Sequence, residues 1–148
     1  MSLPSDATLS SALRTRGQRV TPQRLAIATA VRDLDTHVSA EQVFGEVAQR
    51  FPGVSLPTVY ATLELLEDLG YVRRVAGRAG VTVYDPRVDE HHHLVCHRCG
   101  AITDIDGRID DSGLRAAALD AGFTPEGSQV VIRGLCADCA AQGGPDQR

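Results

Sequence analysis

The sequence predicts an α+β chain: a helical first half closed by a hairpin, the outline of a winged helix-turn-helix, and a small α/β second half built around four cysteines. Three observations carry this. Apolar residues recur at helical spacing through the first half and then give way to short extended runs. Gly77-Arg78-Ala79-Gly80 separates two of those runs as the tip of a hairpin. Two Cys-x2-Cys pairs then mark the remainder. The character of the chain changes at Asp85-Pro86, which divides it into residues 1–84 and 85–148.

The first helix is expected over 7–16 behind Asp6, with Leu9, Ala12 and Leu13 inward and Gly17 as its stop. Thr21 has the chemistry of an N-cap, and Pro22 suits the first helical position because its missing N–H would be unpaired there anyway. Ile27, Ala30, Val31 and Leu34 then follow helical spacing. Ser39 and Gln42 form a capping box for a third helix, whose buried stripe would be Val43, Phe44, Val47 and Phe51, with Pro52-Gly53 at its end. The fourth helix starts near Ser55, faces inward through Val59, Leu63 and Leu66, and stops at Gly70. Tyr71–Ala76 and Val81–Tyr84 are strand-like. Three or four short helices and a hairpin fit a winged helix-turn-helix, an outline that other small helical domains share.

In the second half, Leu94–Cys96, Ala101–Ile105 and Gln129–Arg133 read as strands. Residues 112–121 read as a helix facing inward through Leu114, Ala118 and Ala121, and Gly143–Arg148 as a frayed tail.

With 148 residues, 43% of them hydrophobic, the chain has material for one ordinary core or two small ones. No run approaches the roughly 20 apolar residues of a membrane span, and the N-terminal stretch lacks a secretory pattern. A cytoplasmic protein without structural disulfides is expected, so the four cysteines need another role. The net charge of −4 is uneven: nine Arg face eight acids in residues 1–84, six face eleven in 85–148, and there is no Lys. An acidic total argues against indiscriminate nucleic-acid binding and leaves room for a local basic surface on the first half.

Cys96-His-Arg-Cys99 and Cys136-Ala-Asp-Cys139 are two knuckles with 36 residues between them. Four thiolates suit a tetrahedral Zn2+, and such a closed shell holds a fold rather than catalyses. The alternative is two redox pairs or four free thiols. His97, inside the first knuckle, reads as a bystander. Nearby, His91 and His93 alternate along an extended segment and so share a side, with His92 on the other. If Val95–Cys96 pairs with Ala101–Asp104 as a hairpin, Asp104 comes near the His pair. Imidazoles with carboxylates suit Fe2+, Mn2+, Zn2+ or Ni2+; the alternative is a solvated polar linker. A zinc enzyme would need an open metal position and a general base, and no stretch resembles a hydrolase motif, so no enzyme is expected.

Five stretches in this order resemble the ferric-uptake-regulator (Fur) family of metal-dependent repressors: Arg19-Val-Thr-Pro-Gln-Arg24, His37-Val-Ser-Ala-Glu41, Thr58-Val-Tyr60, His91 to Gly100, and Cys136 to Cys139. The resemblance covers nearly the whole chain. It implies a winged-helix DNA-binding domain over 1–84, a metal-binding α/β dimerisation domain over 85–148, a homodimer, and double-stranded operator DNA as partner. It implies structural Zn2+ on Cys96, Cys99, Cys136 and Cys139, and a regulatory Fe2+ or Mn2+ on His37, Asp85, His91, His93 and Asp104. Aspartate at 104, where iron sensors usually carry glutamate, resembles the peroxide-responsive (PerR-like) branch. That branch implies repression lifted when peroxide oxidises a His ligand; an iron- or manganese-responsive repressor is the alternative.

For DNA, the fourth helix is the recognition candidate. Its inward stripe leaves Pro57, Tyr60, Ala61 and Glu64 outward. Tyr60 lies at the edge of the stripe, where the alternative is a partly buried core tyrosine. The resemblance implies DNA contact by Tyr60 through a thymine methyl or phosphate, by Thr58 at the helix start, and minor-groove contact by Arg19. Arg78 at the wing tip has the reach to touch phosphate. Ala61 stands where the family commonly has a longer polar residue, and an alanine still touches a thymine methyl. Arg14, Arg16, Arg73 and Arg74 read as a solvated face.

Overall fold

The structure, a computed structural model, describes residues 3–142; the expected tail 143–148 lies outside them. Two compact units emerge. The first comprises residues up to 76 and 80–89, the second residues 77–79 and those from 90 onward. Among the described residues no helix is long and apolar enough to cross a membrane.

The first unit is four helices and a hairpin. Helix α1 spans Asp6–Thr15; Ser5, not Asp6, caps it by accepting from the Thr8 N–H. Arg32 ties its start to the next helix by donating to the Pro4 carbonyl (2.8 Å) and Asp6 (3.1 Å). Helix α2 spans Pro22–Leu34 with Thr21 as cap. Helix α3 spans Ala40–Arg50, and both bonds of the Ser39/Gln42 capping box form. Helix α4 spans Leu56–Asp68 behind Ser55. Gly70, at φ +74°, donates to the Glu67 carbonyl, and Tyr71 to that of Leu66, closing the helix end.

The inward residues of these helices fill one core: Leu9, Leu13, Ile27, Val31, Val43, Val47, Val59, Leu63 and Leu66 are all buried, with Tyr84 from the hairpin. Phe44 and Phe51, expected in the buried stripe, sit only partly buried at its edge, and Ala40 takes the inner place one turn before. The hairpin pairs β1 (Arg73–Ala76) with β2 (Thr82–Asp85), Arg73 opposite Asp85. Tyr71 and Val72 stay outside the strand. The Arg78–Gly80 tip is a short 3-10 turn with Ala79 at φ 53°. Asp85 still belongs to β2, so the first unit runs past the 84/85 boundary to Asp89.

The second unit holds a three-stranded sheet in the order β4-β3-β5. Strand β3 (His92–Cys96) pairs antiparallel with β4 (Ile102–Ile105) and parallel with β5 (Val131–Gly134). Gly100 at φ +83° makes the turn after the first knuckle and donates to the Cys96 carbonyl. Helix α5 (Ser112–Asp120) occupies the crossover that a parallel pair requires. It buries no residue of its own: Leu114 is 75% exposed, and Ala121 is exposed rather than inward. A five-residue helix, α6 (Ala137–Ala141), carries the second knuckle and was not foreseen from the sequence.

Candidate metal centres

The four cysteines converge. Their sulfurs lie within 4.8 Å of one another, and Cys99 Sγ is 3.8 Å from Cys136 Sγ. With Zn–S bonds of about 2.3 Å, a tetrahedron has an S···S edge of about 3.8 Å, so the donor set fits zinc in both chemistry and size. The parallel β3–β5 pair accounts for the convergence: Cys96 faces Gly134 in register, which places Cys136 two residues beyond. Arg98 locks α6 to the first knuckle by donating to the Cys139 carbonyl at 2.6 Å. Backbone N–H groups of Cys99 and Cys136 pull the Cys96 thiol down to about 5. The neighbouring Cys136 and burial push Cys139 up to about 12. Cys96 and Cys139 are buried and Cys99 is exposed.

The histidine and carboxylate residues form two groups, one in each unit. In the first, Val38 and Tyr84 exchange both backbone hydrogen bonds (3.0 and 2.8 Å). That bridge sets His37 beside Asp85, with Nε2 and Oδ2 3.6 Å apart. The Arg87 N–H donates to Asp85 Oδ1 at 2.8 Å and orients the carboxylate.

In the second, the β3–β4 register puts His93 directly opposite Asp104. His91, two residues back along the same side, turns its Nε2 to within 3.0 Å of His93 Nε2. Asp104 Oδ1 lies 3.6 Å from the first and 3.5 Å from the second. Both rings are fully buried. Cis donors on an ion with bonds of about 2.1 Å are about 3 Å apart, so the pair matches one edge of such a shell. The expected hairpin between 95–96 and 101–104 therefore forms, in the register that aims Asp104 at the imidazoles.

His92 has a different job. Its Nδ1 accepts from the Val130 N–H at 3.3 Å and its Nε2 faces the Gly107 carbonyl at 3.1 Å. Those partners make Nε2 the protonated nitrogen, and the ring pins the lead-in to β5 against the segment after β4.

Among the residues expected at DNA, Tyr60 is 38% exposed on the outer face of α4, and its hydroxyl donates to Glu41 at 2.7 Å. Thr58 is engaged with the Ser55 cap, Oγ to Oγ1 2.8 Å. Arg19 is exposed, and Arg24 braces its loop by donating to the Arg19 carbonyl at 2.6 Å. Arg78 is exposed, its stem beside Gly100. Arg74, expected on a solvated face, is exposed, and there it pairs with Glu67 and lies 5.8 Å over the Tyr84 ring. Sequence reasoning missed the Glu41–Tyr60 and Arg24–Arg19 contacts, although all four residues sit inside the five stretches singled out in the sequence.

A cluster of four thiols and two imidazole–carboxylate groups, in a chain with a helix-rich unit and a hairpin, are features of a metal-responsive regulator. Residues 15–132 match the Ferric uptake regulator family, and the chain belongs to it. Transcriptional regulator FurA of Mycobacterium tuberculosis is 38% identical over 129 residues, 86% of this chain and 87% of that protein. Peroxide-responsive repressor PerR of Staphylococcus saprophyticus is 30% identical over 129 residues, 87% of each chain. A solved structure of a zinc uptake regulator complexed with zinc and DNA superposes with a TM-score of 0.64 at 26% identity, covering 92% of this chain and 93% of that one. The chain is thus a metal-responsive transcriptional regulator.

Proposed function

We propose that this protein is a cytoplasmic, homodimeric repressor that binds double-stranded operator DNA when its regulatory site is filled. In this reading Cys96, Cys99, Cys136 and Cys139 hold structural Zn2+, while His37 and Asp85 share one Fe2+ or Mn2+ with His91, His93 and Asp104. The observation that carries it is the convergence of His91, His93 and Asp104, buried imidazole nitrogens 3.0 Å apart beside a carboxylate. Two or three imidazoles with two carboxylates form a donor set for Fe2+ or Mn2+. One ion shared by both groups would fix the hairpin unit relative to the sheet unit, and so couple metal loading to DNA binding. Residues 1–84 would read DNA through Arg19, Thr58, Tyr60 and Arg78.

Residues 85–148 would supply the dimer contact. Leu94, Ile132 and Leu135 line an apolar groove of about 400 Å³ on the sheet, and Leu114, Leu119 and Phe123 stand exposed. A second copy covering them would account for apolar side chains that their own chain leaves in water.

Asp104 and the match to a peroxide-responsive repressor support peroxide sensing. Fe2+ held there would activate peroxide; one peroxide oxygen would enter a ring C–H of His37 or His91 and the other would leave as water, so that the imidazole is oxidised and the peroxide reduced. An oxidised imidazole is a poorer donor, so the two groups lose their shared anchor and DNA is released. The higher identity to FurA favours a second reading, an iron- or manganese-responsive repressor without peroxide sensing.

One assay separates them: operator binding with Fe2+, Mn2+, Zn2+ or Ni2+, each with and without peroxide, followed by peptide mass spectrometry. Peroxide sensing predicts release only from the Fe2+ form, with one oxygen added on the His37 or His91 peptide. Release with oxidation confined to cysteine would overturn it, and persistent binding with intact histidines would support the second reading. Asp104→Asn should abolish metal-dependent binding while leaving zinc content unchanged.

A further inference from the structure

On the outer face of α4, the side chain with the longest reach, Tyr60, has its hydroxyl proton already committed. Tyr60 Oη donates to Glu41 Oε1 at 2.7 Å, joining α4 to the first turn of α3 across the surface. A phenol has one proton to donate and two lone pairs to accept with. Bonded to a carboxylate, that proton is held by a charge-assisted bond. The bond holds the Glu41 carboxyl below its ordinary range and the Tyr60 phenol above its own.

A DNA phosphate offers only acceptors and negative charge. A phenol whose proton is committed has nothing to donate to it, and the adjacent carboxylate repels it. Base edges in the major groove differ: adenine N6 and cytosine N4 donate, and thymine presents a methyl group. Those match a free phenolic lone pair and an exposed ring. The pair is not needed to hold the two helices together, because Val43, Val47, Val59 and Leu63 already pack them and all are buried.

We propose that Glu41 is a positioning residue for sequence reading: by holding the Tyr60 hydroxyl it turns that side chain into a reader of base edges and withholds it from phosphate. This rests on the reading of the protein as a DNA-binding regulator.

The test uses the full chain loaded with Mn2+ and a duplex that the wild-type protein enriches from a randomised pool. A scrambled duplex of equal length is the reference, and binding is followed by fluorescence anisotropy. Glu41→Ala should tighten scrambled-duplex binding and cut the ratio of specific to scrambled affinity about tenfold, the scale of one good base contact. Glu41→Gln, whose amide oxygen still accepts from the phenol, should keep most of the ratio. In a Tyr60→Phe background, Glu41→Ala should lower the ratio no further, because the two residues act as one unit.

An unchanged ratio for Glu41→Ala overturns the proposal. So does a Glu41→Ala effect that persists in full in the Tyr60→Phe background, or a Glu41→Gln protein that behaves like Glu41→Ala. Melting temperatures of all variants separate misfolding from misreading, and variants within a few degrees of wild type are compared. Failure of the wild-type protein to enrich any duplex overturns the DNA-binding reading itself, and this proposal with it.

Discussion

The two units bury different chemistry. The first fills its interior with Leu, Ile and Val from four helices, closed by Tyr84. In the second, the described buried side chains in and beyond the sheet are His91, His92, His93, Val95, Cys96 and Cys139. One of those six is aliphatic. Burial, at about 25 cal/mol per Å² of apolar surface, is the main stabilising contribution available to the first unit. A unit this small with so thin an apolar centre is marginal by burial alone, and small domains of that kind commonly add a metal or a partner chain. The order of the first unit thus rests on an apolar core, whereas the interior of the second is made mostly of groups whose chemistry suits metal ions.

The contrast can be broken from either side. The largest effect is expected from Cys96→Ser. Apparent metal-binding energies at structural zinc sites are about 10–16 kcal/mol, and they are folding energy. The variant should lose its zinc and the cooperative unfolding of the second unit, while the helical unit keeps its own transition. Zinc analysis beside calorimetry checks this, and a Cys96→Ser protein with full zinc and an unchanged melting profile would contradict it.

Leu63→Ala is the converse. Leu63 is fully buried where α4 meets the core, so truncation should cost about 2–5 kcal/mol and lower the melting temperature of the first unit with zinc content intact. Loss of both transitions together would mean that the units do not fold independently.

Arg19→Ala should disturb neither. Arg19 is exposed and its carbonyl, not its side chain, braces the loop. The variant should melt like wild type and bind operator more weakly. The slope of log affinity against log salt should flatten by about one counterion. A titration at three salt concentrations decides it, and an unaltered slope would remove Arg19 from the phosphate or groove contacts.

The helical unit was legible because its information is local. Thr21-Pro22, Ser39 to Gln42 and Ser55 mark helix starts through hydrogen bonds that span three residues, and the apolar spacing of Val59, Leu63 and Leu66 marks the inner face. Helix α5 was misread for an instructive reason. Its Leu114 has the periodicity of an inward residue, yet within one chain it faces water. Periodicity reports that a helix has an apolar face; it does not say whether that face is covered by its own chain.

The sequence by itself determined the helices and their caps, the hairpin, and the two kinds of donor chemistry, thiol and imidazole–carboxylate. These depend on residue type and short spacing. Tertiary structure decided which donors meet. His37 reaches Asp85 because Val38 bridges to Tyr84. The two cysteine pairs meet because β5 returns parallel to β3. Tyr60 finds Glu41 because α3 and α4 pack. Each is a contact between residues far apart in the chain. Each is set by strand register and core packing, neither of which any local stretch of sequence encodes.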